Sequence, residues 1–243
     1  AKGSEFLVNA SDATGNQLWG PVAALADGSF VVTWITDSRV IHGQRYDANG
    51  IARGTALTID SPNTFSSQGL STTALDGGSF MVTWSGNGEI YGQRFDGNGI
   101  SVGTEFKINT FSEGTALSTN VATLSNGDFI VMWPSGSQDG YSTFDFGIYG
   151  QLFDSSGARK GEEFHINTFI AGNQLEPKIA ALSDGGFAVT CYSEIQDGSD
   201  LGVYVQRYDA NGNATNMLVS RAGNDVLAGS ISDDDTVRYV NST

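Results

Sequence analysis

The sequence holds a single cysteine, Cys191, among 243 residues. One cysteine cannot supply a disulfide framework, so stability must come from packing or from metals. Basic residues are scarce: 12 Lys and Arg stand against 27 Asp and Glu, a formal net charge of −15. That balance argues against nucleic acid, whose phosphates it repels, and against anionic membrane surfaces. No apolar run approaches the ~18 residues of a spanning helix, so membrane insertion is not expected. The chain opens Ala1-Lys-Gly-Ser-Glu-Phe, without Met or a charged-then-apolar leader. Any targeting segment is therefore expected to have been removed or never present. Two histidines, His42 and His165, cannot build a three-His zinc site. No His-Glu-x-x-His, Cys-x-x-Cys, Gly-x-Ser-x-Gly or phosphate-cradling Gly-Lys-Ser/Thr motif is present.

What is abundant is turn chemistry. Asp outnumbers Glu 19 to 8, beside 16 Asn and 32 Gly. These residues close tight turns, by side-chain hydrogen bonding or by tolerating positive φ. With 39% apolar residues the chain can also bury a core. The expectation is an all-β protein of many short hairpins.

The hairpins repeat. Phe30-Val-Val-Thr-Trp34 returns as Phe80-Met-Val-Thr-Trp84, Phe129-Ile-Val-Met-Trp133 and Phe187-Ala-Val-Thr-Cys191. Each is followed by a second block: Ile41-His-Gly-Gln-Arg-Tyr-Asp47, Ile90–Asp96, Ile148–Asp154 and Val203–Asp209. Each is preceded by a small-apolar segment ending at Leu25, Leu75, Leu124 or Leu182. A fourth block reads Glu5-Phe-Leu-Val-Asn9, Glu105-Phe-Lys-Ile-Asn109 and Glu163-Phe-His-Ile-Asn167, with weaker copies at 56–60 and 216–220. Labelled A to D in chain order, these blocks have strand composition. Asp/Asn-Gly turns join A to B and C to D. Units of ~50 residues with four strands each predict a β-propeller of about four blades over residues 1–220, with a β-sandwich or barrel as the alternative. Strand B is apolar at nearly every position, as a strand covered on both faces should be. The extra D block at residues 5–9 either completes the last blade or is the remnant of a preceding repeat.

Connections in an antiparallel meander alternate between ends. The short A–B and C–D turns therefore share one end, and the longer B–C and D–A loops share the other, which becomes the candidate functional face. Its two longest B–C loops offer Asp139 and Asp145, and Asp197 and Asp200, as possible Ca²⁺ ligands, although two carboxylates fall short of the six to eight oxygens calcium takes. The competing account is Asx-turns in a solvated loop. Trp19, Tyr141, Phe144 and Phe146 on the same face are candidates for stacking on a sugar or gripping a protein. His42 and His165 occupy variable repeat positions and read as structural. Cys191, at the Trp position of strand B, reads as a small buried thiol. The recurrent Gln of strand C is expected to satisfy backbone groups, and the Arg beside it to pair with the turn Asp two residues on.

Residues 221–243 break the repeat and form an acidic tail. Gly223, Asp225 and Leu227, then Ser232, Asp234 and Thr236, fit the calcium nonapeptide template partially. With the A-L-x-D-G-G-F-V-V-T-W and I-Y-G-Q-R-F-D blocks, this tail resembles repeat regions of large secreted bacterial proteins of the RTX, haemolysin-type calcium-binding group. The resemblance implies a secreted, extracellular protein with Ca²⁺ as the cofactor and Asp225 and Asp234 among its ligands. It carries no reaction. The expected function is a non-enzymatic binding or adhesion module that takes carbohydrate or an extracellular protein on the long-loop face. A polysaccharide lyase or glycoside hydrolase is the first alternative, and a spacer or assembly unit of a large surface protein is the second.

Overall fold

A computed structural model describes residues 4–10, 15–18, 20–59, 69–140, 145–198 and 200–215. It contains four antiparallel sheets, one per repeat. In blade 1, β1 (Gln17–Leu18) and β2 (Val22–Ala24) both pair with β3 (Phe30–Thr36), which pairs with β4 (Ile41–Tyr46) and then β5 (Ala52–Ile59). Blade 2 is β6 (Leu70–Ala74), β7 (Phe80–Gly86), β8 (Glu89–Phe95) and β9 (Ser101–Lys107). Blade 3 is β10 (Asn120–Thr123), β11 (Phe129–Gly136), β12 (Phe146–Phe153) and β13 (Arg159–His165). Blade 4 is β14 (Gln174–Ala181), β15 (Phe187–Glu194), β16 (Leu201–Tyr208) and β17 (Ala214–Thr215). Each sheet follows chain order, so the expected propeller blades are the observed ones, and no sandwich forms.

The turn residues act as their chemistry dictates. In every C–D turn one Asp oxygen accepts the N–H groups two and four residues on: Asp47 from Asn49 and Ile51, Asp96 from Asn98 and Ile100, Asp154 from Ser156 and Ala158, Asp209 from Asn211 and Asn213. The Ser156 hydroxyl on Asp154 and the Asn213 amide on Asp209, together with these N–H bonds in all four turns, hold the four carboxyl groups below their ordinary pKa.

Three apolar seams join the blades. Val31, Ile35, Ile41 and Ile59 of blade 1 meet Phe80, Val82, Trp84 and Phe95 of blade 2. Met81, Ile90 and Ile108 meet Phe129, Val131, Trp133 and Phe153 of blade 3. Ile130, Met132, Ile148 and Leu152 meet Phe187, Val189 and Tyr208 of blade 4. Blades 2 to 4 thus each have a leading face (Phe, Val, the strand C aromatic, and Trp in blades 2 and 3) that packs on the trailing face of the blade before it. Trp84 and Trp133 are wholly buried, as inter-blade core should be.

The Gln of strand C has a specific task. A bulge lies beside it in the C–D pairing of blades 1 to 3. Its Nε2 donates to the carbonyl of the next residue and to a strand D carbonyl: Gln44 to Arg45 and Arg53, Gln93 to Arg94 and Val102, Gln151 to Leu152 and Gly161, Gln206 to Arg207 and Thr215. The side chain thereby accepts the ladder duties that the bulge interrupts. The Arg beside it reaches farther than its own turn Asp. Arg94 donates to the Ser155 and Ser156 carbonyls of the following blade, and Arg207 to Asp184 in its own A–B turn.

Residues 5–9 are not a paired strand. They lie on the leading face of blade 1. The Tyr46 hydroxyl donates to the Val8 carbonyl at 2.9 Å, and the Phe6 and Tyr46 rings are 5.2 Å apart. Tyr208 treats Ile166 and Phe164 of blade 3 in the same way. The segment therefore occupies the place of a preceding blade's strand D. No helix among the described residues is long and apolar enough to cross a membrane.

Candidate functional site

The B–C and D–A connections gather at one end, as parity requires. The four B–C loops there each contain a non-glycine residue with left-handed φ: Arg39, Asn87, Ser137 and Ile195. Near the propeller axis, in residues 69–74, 118–123 and 176–181, Glu176 is the one carboxylate. It too has positive φ (51°), and it lines a shallow hollow with Lys178, Thr190, Tyr192 and Val203.

A denser ionisable cluster lies farther out, between blades 2 and 3. β13 carries Glu163 and His165 on alternate positions, hence on one face. β12 carries Tyr149 directly opposite His165. The B–C loop that precedes β12 brings in Gln138 and Asp139. Asp139, His165 and Tyr149 converge over Gly147, with Glu163 and Gln138 hydrogen-bonded to each other beside them. A Cβ there would stand 2.8 Å from His165 Nε2, 3.3 Å from Asp139 Oδ2 and 3.3 Å from Tyr149 Cε2. The absence of a side chain at Gly147 is what allows the approach. His165 and Tyr149 stack with ring centroids 4.6 Å apart.

Hydrogen bonds orient the carboxylate of Glu163. Gln138 Nε2 donates to its Oε1, while Thr110 of the neighbouring blade donates its N–H (2.6 Å) and hydroxyl (2.9 Å) to Oε2. Burial lowers the pKa of His165, against the opposing pull of the Asp139 charge, and favours the neutral imidazole. The buried Nε2 of that ring has no hydrogen-bond partner. Burial, reinforced by the charges of Asp139 and Glu163, pushes the Tyr149 phenol up to about 12, so it stays protonated. The cluster therefore combines two carboxylates, a neutral imidazole and a phenol.

The expected site residues divide as follows. Trp19, Tyr141, Phe144, Asp225 and Asp234 lie outside the described residues. Asp139 joins the cluster. Asp145 stands at the far end of the same loop, where its carbonyl accepts the Ser137 N–H at 3.1 Å. Phe146 opens β12 half-buried, with its N–H donating to Asn173 Oδ1. Asp197 and Asp200 are exposed, and the Asp200 carbonyl closes its loop on Ile195 N–H at 2.9 Å. Among the described residues no three His, Cys, Asp or Glu side chains come together as metal ligands. Glu163 and Tyr149 escape notice in the sequence because each sits at a repeat position that reads as strand, and His165, although it stands where the other copies carry Leu7 and Lys107, reads there as structural.

No family model matches the chain, and no curated protein matches it. Solved structures do. The GH43 endo-arabinanase from Bacillus licheniformis matches with a TM-score of 0.50 at 15% identity, over 82% of this chain and 77% of that one. The α-L-arabinanase of Penicillium chrysogenum, solved with arabinobiose, matches with 0.55 at 12%, over 84% and 67%. An ulvan lyase of polysaccharide lyase family 25 matches with 0.54 at 8%, over 80% and 53%. At such identities the likeness is one of fold, and it places the chain among β-propellers. It also corrects the expectation of a non-enzymatic binding or adhesion module, because the two arabinanases and the ulvan lyase that share this fold are named as polysaccharide-cleaving enzymes.

Proposed function

We propose that the chain is a glycoside-hydrolase-type domain that cleaves a neutral polysaccharide through the cluster between blades 2 and 3. The observation that carries this reading is the convergence of Asp139, His165 and Tyr149 over Gly147, beside an oriented Glu163. Glycoside hydrolysis needs one carboxyl to protonate the leaving oxygen and a second to activate water or attack the sugar. Asp139 and Glu163 supply that pair. His165, neutral, and Tyr149, protonated, hold or pass protons beside them. The fold's likeness to arabinanases supports a sugar polymer as substrate. The net charge of −15 disfavours polyanionic chains, which favours a neutral polymer such as arabinan over a uronate. The proposal also places the protein outside the cell, with calcium held by the tail through Asp225 and Asp234. A melting temperature indifferent to EDTA removes the calcium element.

The test is reducing-sugar release from a panel headed by arabinan, with absorbance of unsaturated uronates followed on ulvan. Wild type should release sugar from a neutral polymer, and Glu163→Gln and Asp139→Asn should each lose at least about 100-fold. Unsaturated products alone would transfer the assignment to a lyase, with His165 as base and Tyr149 as proton donor. A wild type inert on the whole panel ends the proposal.

A further inference from the structure

Among the described residues no blade stands behind the trailing face of blade 4. At the three internal seams the first residue of the strand C block on the trailing face, Ile41, Ile90 or Ile148, is fully buried. Its counterpart in blade 4, Val203, is 71% exposed, and Leu201, Val205 and Tyr192 around it are exposed as well. The complementary vacancy is on the leading face of blade 1. There Val22 is 62% exposed, although its counterparts Thr72 and Val121 are buried. Phe6 and Leu7, on the segment that lies over this face, are exposed too. Among the described residues no apolar seam joins blade 4 to blade 1. An apolar sheet face left open in this way is an association surface.

The internal seams show what such a face accepts. A trailing face takes the Phe-x-Val-x-Trp strand and the strand C aromatic of a following blade. On blade 1 Trp34 and Tyr46 are already buried and Phe30 and Val32 half-buried, so the contact surface it offers is Val22 with Phe6 and Leu7, beside Phe30 and Val32. Charge agrees with shape. At two seams the strand C arginine of the trailing face reaches the C–D turn of the next blade. Arg45 acts on Asp96, and Arg94 donates to Ser155 and Ser156. Arg207 holds that position on the open face of blade 4, and the acidic turn at Asp47 holds the matching position on blade 1. Residues 5–9 already sit on blade 1 as a preceding strand D would, so this leading face is built to receive a blade.

We infer that a second copy of this chain docks head to tail, its blade 1, carrying residues 5–9, covering the trailing face of blade 4. Such a contact is heterologous, so it closes into a ring or extends as a filament. The inference is independent of the proposed hydrolase.

The experiment is sedimentation velocity of the whole chain over a concentration series, with two single-face variants. Wild type should show masses at multiples of the monomer that grow with concentration. Val203→Asp blocks the trailing face and Val22→Asp the leading face, so each alone should stay monomeric. An equimolar mixture should form a one-to-one dimer, because each variant keeps the face the other lacks. Circular dichroism verifies that both are folded, and Val205→Lys and Phe6→Lys replace either one that is not. A wild type that is monomeric throughout overturns the inference. Association that survives Val22→Asp, or a mixture that stays monomeric, overturns its head-to-tail geometry.

Discussion

The strand C glutamines form a natural dilution series for one interaction. Gln151 is fully buried, Gln93 and Gln44 are 6% and 8% exposed, and Gln206, on the blade with an open face, is half-buried. Gln151 Nε2 serves the carbonyls of Leu152 (2.9 Å), Lys160 (3.4 Å) and Gly161 (3.2 Å), and its Oε1 accepts Arg159 Nη1 at 2.8 Å. Gln→Leu keeps the volume and removes every polar atom. In blade 3 it strands at least one carbonyl on each side of the bulge, with no water to replace the donor. Each buried orphan costs about 1–3 kcal/mol, so Gln151→Leu should cost about 3 kcal/mol, partly offset by not burying the amide. Gln93→Leu and Gln44→Leu should follow at about 2 kcal/mol, and Gln206→Leu, whose carbonyls water can reach, below about 1 kcal/mol. Urea titration with unchanged slope reads the differences as shifts in midpoint. A Gln206→Leu loss equal to that of Gln151→Leu, or a neutral Gln151→Leu, would refute the assignment of this residue as the bulge's substitute donor.

Two other predictions follow from approach distance and from titration. A Cβ on Gly69 would lie 2.4 Å from Ser118 Cα and 2.8 Å from Thr119 N, backbone atoms of the next inner strand that cannot step aside. Gly69→Ala should therefore cost about 3 kcal/mol, a fall in Tm of about 6–12 °C, whereas Gly20→Ala, with nothing within 4 Å, should be neutral or slightly stabilising; equal melting of the two would disprove the crowding. For His165 the folded pKa lies below the ordinary 6.5, so the unfolded chain binds the proton first and stability falls as pH drops below 6.5; His165→Gln should flatten that part of the stability–pH curve, and an unchanged curve would exclude His165 as its source.

The repeat made the architecture legible because each blade is a local object. Strand, turn and bulge are all specified within about 50 residues, and four copies average out the ambiguity of any one. Strand B was readable as covered on both faces for the same reason. The site was less legible because it belongs to no single repeat. Glu163 is oriented by Thr110, 53 residues away in another blade, and that spacing acquires meaning only once blade 3 stands beside blade 2. The loop aspartates are a different case: Asp197 and Asp200 share a loop and are both exposed there, and a shared loop does not by itself make carboxylates converge. The arginines were assigned to their own turns because sequence distance was the available guide, whereas Arg94 crosses a seam to reach Ser155 and Ser156.

Where the repeat pattern breaks, the break crosses an interface. Blade 4 carries Cys191 where blades 2 and 3 bury Trp84 and Trp133, which removes a large volume from its leading face. The opposing trailing face of blade 3 departs from its own pattern in the compensating sense. Met132 replaces the threonine seen at Thr33 and Thr83, and Leu152 replaces the arginine of Arg45 and Arg94. Both are buried in the seam against which Cys191 packs. A core tolerates such exchanges when total volume and apolar character are kept. The seam is therefore the unit under constraint, and each blade is shaped by two different neighbours. Val205 fits the same logic. Its counterparts Gly43, Gly92 and Gly150 are crowded, since a Cβ on Gly92 would displace Met81 Cε, one on Gly150 would press on Ile166 Cδ1 and one on Gly43 would stand 3.2 Å from Thr33 Cγ2. The trailing face of blade 4 lacks that crowding, and there a valine side chain stands outward at 49% exposure.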